Sequence, residues 1–217
     1  MIIGLLVIYT AILILGNGYA EDASVNVLAQ VDLNLFGYDH IYHKSPVDPE
    51  GLMGTISSVA HVLLGFYCGM MIRKKETIEQ KVMALFVIGT VLVIGGYLLT
   101  YGLPLNKRIW SPSYVMVTCG LASLLQAFLM YVIDIQKKSR WTTFFHVFGV
   151  NALALYVSSE LLAILLGNIG VSEVVYNGIH AVIAPLKWAS LTYALYFVLL
   201  NFLLGYVLYR RKIYIKL

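Results

Sequence analysis

Long apolar runs separated by short polar stretches organise this chain. Six of them approach the ~20 residues that a helix needs to cross a bilayer. They cover residues 2–19, 52–72, 82–99, 114–133, 141–166 and 189–208. A lone segment crossing lipid must satisfy its own backbone, which only a helix does. The pattern predicts an all-α polytopic membrane protein with six transmembrane helices, forming one helical domain over residues 1–217. The first run is the weakest. Its unbroken core, Ile2–Leu15, is about 21 Å long as a helix, against ~30 Å of hydrocarbon. It reads either as a secretory signal, with Gly18 and Ala20 before a cut, or as a helix continuing from a longer parent protein. The missing basic flank at its start argues against the signal.

The connections carry patterns of their own. Residues 25–35 alternate apolar and polar (Val25, Val27, Ala29, Val31, Leu33, Leu35), formally a strand. A lone strand between helices has no partner, so a short interfacial helix is expected there. Ser172 with Glu173 reads as a cap opening a second short helix, which Pro185 ends. Gly65 and Gly69 in the second run, and Gly89, Gly95 and Gly96 in the third, are small residues of the kind that let helix backbones approach in lipid.

Composition agrees with a lipid solvent. The chain is 60% hydrophobic and 12% charged, with a mean hydropathy of +0.82, whereas soluble domains carry about 25% charged residues. Charge then sets topology. Eleven of the fifteen Lys and Arg residues fall in three clusters: Arg73-Lys74-Lys75 with Lys81, Lys137-Lys138 with Arg140, and Arg210-Arg211-Lys212 with Lys216. They follow the second, fourth and sixth runs. Positive residues mark cytoplasmic connections, which puts both termini on the cytoplasmic side of the cytoplasmic (inner) membrane. The outward loops 20–51, 100–113 and 167–188 hold seven of the eleven acids. The net charge of +4 is thus topological and implies no nucleic acid. Cys68 and Cys119 lie inside apolar runs, with no disulfide framework and no metal-ligand spacing.

Candidate chemistry gathers on the outward side. Residues 36–51 read FGYDHIYHKSPVDPEG. Asp48 and Glu50 stand just before the second run, where acids either favour a helix start or form an acidic binding surface. In the next outward loop, Asn106, Lys107 and Arg108 either bind an anion or are solvated, and Trp110 and Tyr114 suit interface anchors. The fifth run contains Asn151, Ser158, Ser159 and Glu160. An ionisable residue inside a span is costly and marks a functional candidate. Glu160 falls roughly 9 Å below the outer end, with Tyr156 one turn before it. Asn151 and Ser158 occupy another face, so this helix is expected to be surrounded by protein. His61, near Ser57 and Ser58, reads as an interhelical hydrogen-bond donor before it reads as a catalyst, and His146 is a weaker candidate.

In four of these stretches the chain resembles the C-terminal half of the heparan-α-glucosaminide N-acetyltransferase family, bacterial members included. They are FGYDHIYHKSPVDPEGLMG (36–54), PLNKRIWSPSYV (104–115), GVNALALYVSSE (149–160) and the tail GYVLYRRKIYIKL (205–217). The resemblance covers nearly the whole chain in order. Ser159 departs from it, since some relatives have His before the Glu. The resemblance implies a polytopic enzyme that moves acetyl from cytoplasmic acetyl-CoA, as co-substrate and without a metal, to an amino sugar on the far side. It places the family's catalytic histidine in the N-terminal half, so no residue here takes a catalytic role. It further implies that a chain supplying that half is a partner, and that this chain is inactive alone. Asp48, Glu50, Asn106, Lys107, Asn151 and Glu160 are then the expected substrate-binding residues. Acetyl transfer to an amine needs a proton acceptor and oxyanion donors, which this set contains. Two other classes compete. One is a non-catalytic partner subunit; the other is half of a proton-coupled transporter using Glu160.

Overall fold

The computed structural model describes residues 1–42 and 44–215, so His43, Lys216 and Leu217, which the motifs above include, lie outside the described residues. The described residues are helical, as the hydropathy pattern predicts, and contain no strand. Their contacts divide them into two compact units, Met1–Lys138 and Ser139–Leu217.

The first unit is built on α1 (Ile2–Leu15), α3 (Gly54–Lys74), α4 (Ile78–Leu99) and α5 (Pro112–Met130). Between α1 and α3 lie the short helix α2 (Val27–Phe36) and a 3-10 turn at Tyr38–His40. Residues 25–35 are thus mostly helical despite their alternation. Asn26 explains the start of α2: its side chain accepts from Leu28 N at 2.9 Å and donates to the carbonyls of Gly18 and Ala20. Thr77 caps α4 through Gln80 N, and Ser111 caps α5 through Tyr114 N with Pro112 in the first turn. The last turn of α5 widens into a π-helical segment at Tyr131–Ile135.

The closest packing joins α4 to α5. A Cβ on Gly120 would sit 2.7 Å from Val93 N and 2.8 Å from Gly89 O, and one on Gly96 would sit 2.9 Å from Val117 N. Here backbone meets backbone, as expected for Gly89 and Gly96. Gly65 and Gly69 do something else. Nothing lies within 4 Å of a Cβ at either position. Both open onto a cavity of about 300 Å³ shared with His61, Cys68, Cys119 and Ser123.

Unit one has two chemically distinct ends. The starts of α3 and α5 and the ends of α1 and α4 carry the loops with Asp22, Asp32, Asp39, Asp48 and Glu50. The opposite end carries Arg73, Lys74, Lys75, Lys81, Lys137 and Lys138.

The second unit contains α6 (Thr142–Val150), α7 (Ala152–Asn168), α8 (Val171–Val182) and α9 (Leu186–Arg210). Where one straight span was expected over 141–166, the chain bends by 85° between α6 and α7. The bend falls on Asn151, whose backbone is non-helical (φ −130°, ψ 36°). Nor does Ser172 cap α8: Gly170, in the left-handed region, precedes the helix without a side-chain cap. Gly205 of α9 receives Val147 and Leu155, since a Cβ there would lie 2.8 Å from the Leu155 side chain.

Four helices (α3, α4, α5 with its π turn, and α9) are long and apolar enough to cross a membrane, and the bent α6–α7 pair makes a fifth if it counts as one span. The sixth expected span corresponds to α1, a shorter apolar helix of 14 residues. Exposed Leu, Ile, Val and Phe side chains cover the long helices, which is stable against lipid and not against water. The chain is a membrane protein.

Candidate functional site

At the acidic end of unit one, three loops are locked together by groups that hydropathy does not register. Tyr9 of α1 donates its hydroxyl to the carbonyl of Ile109. Ser57 of α3, fully buried, donates to the next carbonyl, Trp110 O, at 2.6 Å. Trp110 itself sits at φ 50°, a strained region for an aromatic residue. Two consecutive carbonyls anchored from two helices hold it there. Its ring packs edge-on against His61 and Tyr114, with centroids 5.4 and 5.9 Å away. His61 therefore packs on an aromatic, and its Nδ1 has no hydrogen-bond partner among the described residues.

The loop 104–111 closes on itself. Ser111 N donates to Asn106 O, Asn106 N donates to Ser111 Oγ, and Arg108 N donates to Asn106 Oδ1 at 2.9 Å. This Asx turn commits the Asn106 carboxamide oxygen to the loop and leaves its nitrogen outside these bonds. Lys107 is exposed and makes no side-chain hydrogen bond among the described residues.

Asp48 is also a loop builder. One carboxylate oxygen accepts from Tyr42 N at 3.0 Å, the other from Glu50 N at 2.9 Å. It does not cap α3, whose N-cap position is Met53 with no side-chain bond. Glu50 is exposed on the same turn.

Behind this turn stands an acid that the motif reading passed over. Asp32 of α2 is 2% exposed and accepts from Leu52 N at 2.9 Å through Oδ1. Its Oδ2 has no partner among the described residues. A Cβ on Gly51 would sit 2.1 Å from that oxygen, which explains the glycine of the Asp-Pro-Glu-Gly turn. Burial, and then the nearby Asp48 carboxylate, hold the Asp32 carboxyl above its ordinary range, against the opposing pull of the Leu52 N–H bond. The sequence signal for Asp32 is slight: it is the one charged residue of a short helix whose other polar residues are Gln30 and Asn34.

Between these loops lies a cavity of about 130 Å³ lined by Tyr19, Glu21, Ser45, Asn106 and Arg108, among others. The structure thus brings Asn106 to the loop that Asp48 folds. Lys107 and Glu50 are not among its lining residues.

Unit two holds the other two expected residues. Asn151 is 1% exposed and spans the chain's tail: Nδ2 donates to Ile213 O at 3.0 Å, and Oδ1 accepts from Ile215 N at 2.8 Å. Two of the four motif stretches, 149–160 and 205–217, are therefore physically joined. Glu160 and Tyr156 are exposed on α7, whose buried residue is Leu155. Within its own unit α7 is not surrounded, contrary to the expectation from its polar residues. Among the described residues no group of His, Cys, Asp and Glu could hold a metal ion.

An all-helical membrane protein, with capped and cross-bonded loops gathered at one end of its helices, defines the class. No protein-family profile matches the chain. Among known proteins it is similar to human heparan-alpha-glucosaminide N-acetyltransferase, 27% identical over 218 aligned residues that take in 86% of this chain and 29% of the human protein. It is likewise 29% identical to the mouse heparan-alpha-glucosaminide N-acetyltransferase over 149 residues, which is 61% of this chain and 23% of the mouse protein. The chain spans less than a third of the length of these two relatives.

Proposed function

We propose that the chain forms the acceptor-side portion of a membrane acetyltransferase, which moves acetyl from acetyl-CoA to the amine of an amino sugar. The observation that carries this reading is the match to the human enzyme across 86% of the chain. The acidic loops face outward and the lysine-arginine end of unit one faces the cytoplasm, in keeping with positive-inside insertion. The membrane is the cytoplasmic (inner) membrane, with both termini cytoplasmic.

In this reaction the neutral amine attacks the thioester carbonyl. A C–N bond forms, the C–S bond breaks, and CoA leaves as the thiol. The amine arrives protonated, so a carboxylate has to attract it and a base has to take its proton. Asp48, Glu50 and Glu160 supply negative charge on this reading. Asn106 orients the acceptor through its free amide nitrogen, and Lys107 meets an anionic group. Asn151 contributes by holding the tail to the α6–α7 bend. The catalytic histidine comes from the remainder of the enzyme, whether on this polypeptide or on a partner, so this 217-residue portion does not turn over by itself.

The test places Asp48→Asn and Glu160→Gln in turn into a full-length homologue and measures acetyl transfer to glucosamine. The expected result is a loss of about ten-fold or more in kcat/KM for each, the size of one displaced charge interaction. Undiminished transfer by both variants removes these residues from the site.

A further inference from the structure

The cavity between the loops at 18–21, 45–47 and 106–109 holds polar groups that the fold leaves without partners. Ser45 Oγ is buried and makes no hydrogen bond among the described residues, and the buried Tyr19 Oη has only the Ser111 hydroxyl beside it, outside good hydrogen-bond geometry. Buried hydroxyls are normally satisfied. Their surroundings are firmly set. Asn26 ties down the carbonyls on either side of Tyr19. Ser111, a neighbour of Tyr19, already uses its hydroxyl on Asn106 N, Tyr114 N and Ser113 Oγ. Asn106 Nδ2 remains uncommitted, and Arg108 makes no ion pair among the described residues.

The chemistry of these groups selects a ligand class. A bare anion would be attracted by Arg108 but repelled by Glu21, and a bare cation the reverse. Both hydroxyls donate and accept, the amide nitrogen and guanidinium donate, and the carboxylate accepts. A neutral, hydroxyl-rich ligand satisfies all of them together. At about 130 Å³ the space exceeds the needs of a single water. It suits the hydroxyl edge of one sugar ring and excludes a whole oligosaccharide.

We infer that this cavity is a monosaccharide subsite that reads ring hydroxyls through Tyr19, Ser45, Asn106 and Arg108, and does not read the amine. The inference rests on the proposed function for the choice of sugar. It assigns the acceptor's ring hydroxyls to a cavity whose lining does not include Lys107 or Glu50, leaving those two side chains to the charged groups of the reaction.

The experiment uses the chain reconstituted in lipid nanodiscs, with saturation-transfer NMR titrations of glucosamine and N-acetylglucosamine. These sugars share the remaining ring hydroxyls and differ at the nitrogen, a charged amine in one and a neutral, bulkier acetamide in the other. Both are expected to bind with dissociation constants within about three-fold of each other. Ser45→Ala, at a half-buried position, and Arg108→Gln, at an exposed one, are expected to weaken each sugar several-fold, and the Tyr19→Phe/Ser45→Ala pair by about ten-fold or more. Helix content by circular dichroism serves as the folding control. If the parent chain binds neither sugar, or if Ser45→Ala and Arg108→Gln keep the parent affinity, the inference is overturned. Binding of glucosamine alone overturns it too, because the amine would then be what is read. Acetyl transfer by the full-length homologue is a separate measurement. Its failure alongside intact, variant-sensitive sugar binding would sink the enzymatic reading and uphold the subsite.

Discussion

Asp32 shows how one side chain can set the terms for a loop. Its carboxyl organises Leu52 N from behind the Asp48 turn, and its second oxygen presses on Gly51 so closely that no Cβ fits. Burial and Asp48 raise its pKa above the ordinary value of 3.8. The fold therefore favours the protonated form. That contribution to stability is complete below the ordinary value and is lost as pH rises through the raised folded value. Asp32→Asn keeps an acceptor for Leu52 N and never ionises. The expected outcome is a higher melting temperature than the parent at pH 7 to 8, with the gap closing as pH falls toward ~4. Thermal unfolding in detergent across that range checks it. A gap that widened in acid would show that the carboxylate, not the acid, is what the fold requires. Neither Asp32 nor Tyr19 stands out in the sequence, because what distinguishes them is the loops packed over them. Asp48 and Asn106 did stand out, for residue types that also build turns, and each spends part of its hydrogen-bonding capacity doing so.

At the scale of elements, α4 and α5 form the firmest pair because glycine lets their backbones touch. Gly120 is the tightest point, with both Val93 N and Gly89 O within 3 Å of a Cβ at that position. Gly120→Ala must push the two helices apart. The expected cost is about 1–3 kcal/mol, seen as a lower melting temperature, whereas Gly65→Ala on the open face of α3 leaves it nearly unchanged. Equal losses from the two variants would mean that the α3 glycines are also packed. The spans themselves were readable, since composition alone makes a twenty-residue apolar stretch insoluble. The break inside the fifth run was not. Hydropathy averages over Asn151, while the structure turns the chain 85° there and hands the carboxamide to the tail, some sixty residues on. No local pattern encodes a partner at that distance.

On the scale of the whole molecule, the two ends of unit one differ in charge, and that asymmetry should govern insertion. Single cysteines at Asp48 and Lys107, in a background lacking Cys68 and Cys119, are expected to react with a membrane-impermeant maleimide from outside intact cells. One at Lys138 is expected to react only after permeabilisation. Labelling of Asp48 and Lys107 from opposite faces would rule out any pocket shared by their loops.

The sequence by itself determined that this is a helical membrane protein, where its long helices run, and which known enzymes it resembles. Those properties are local or cumulative: hydropathy sums along a segment, and motif identity survives without contacts. The tertiary structure decided the rest. Partners distant in sequence left the buried Ser45 hydroxyl without a hydrogen bond among the described residues, buried Asp32 behind Gly51, and tied Asn151 to Ile213 and Ile215. Whether a polar group is free to bind a ligand depends on which neighbours have already claimed it, and only folding assigns those neighbours.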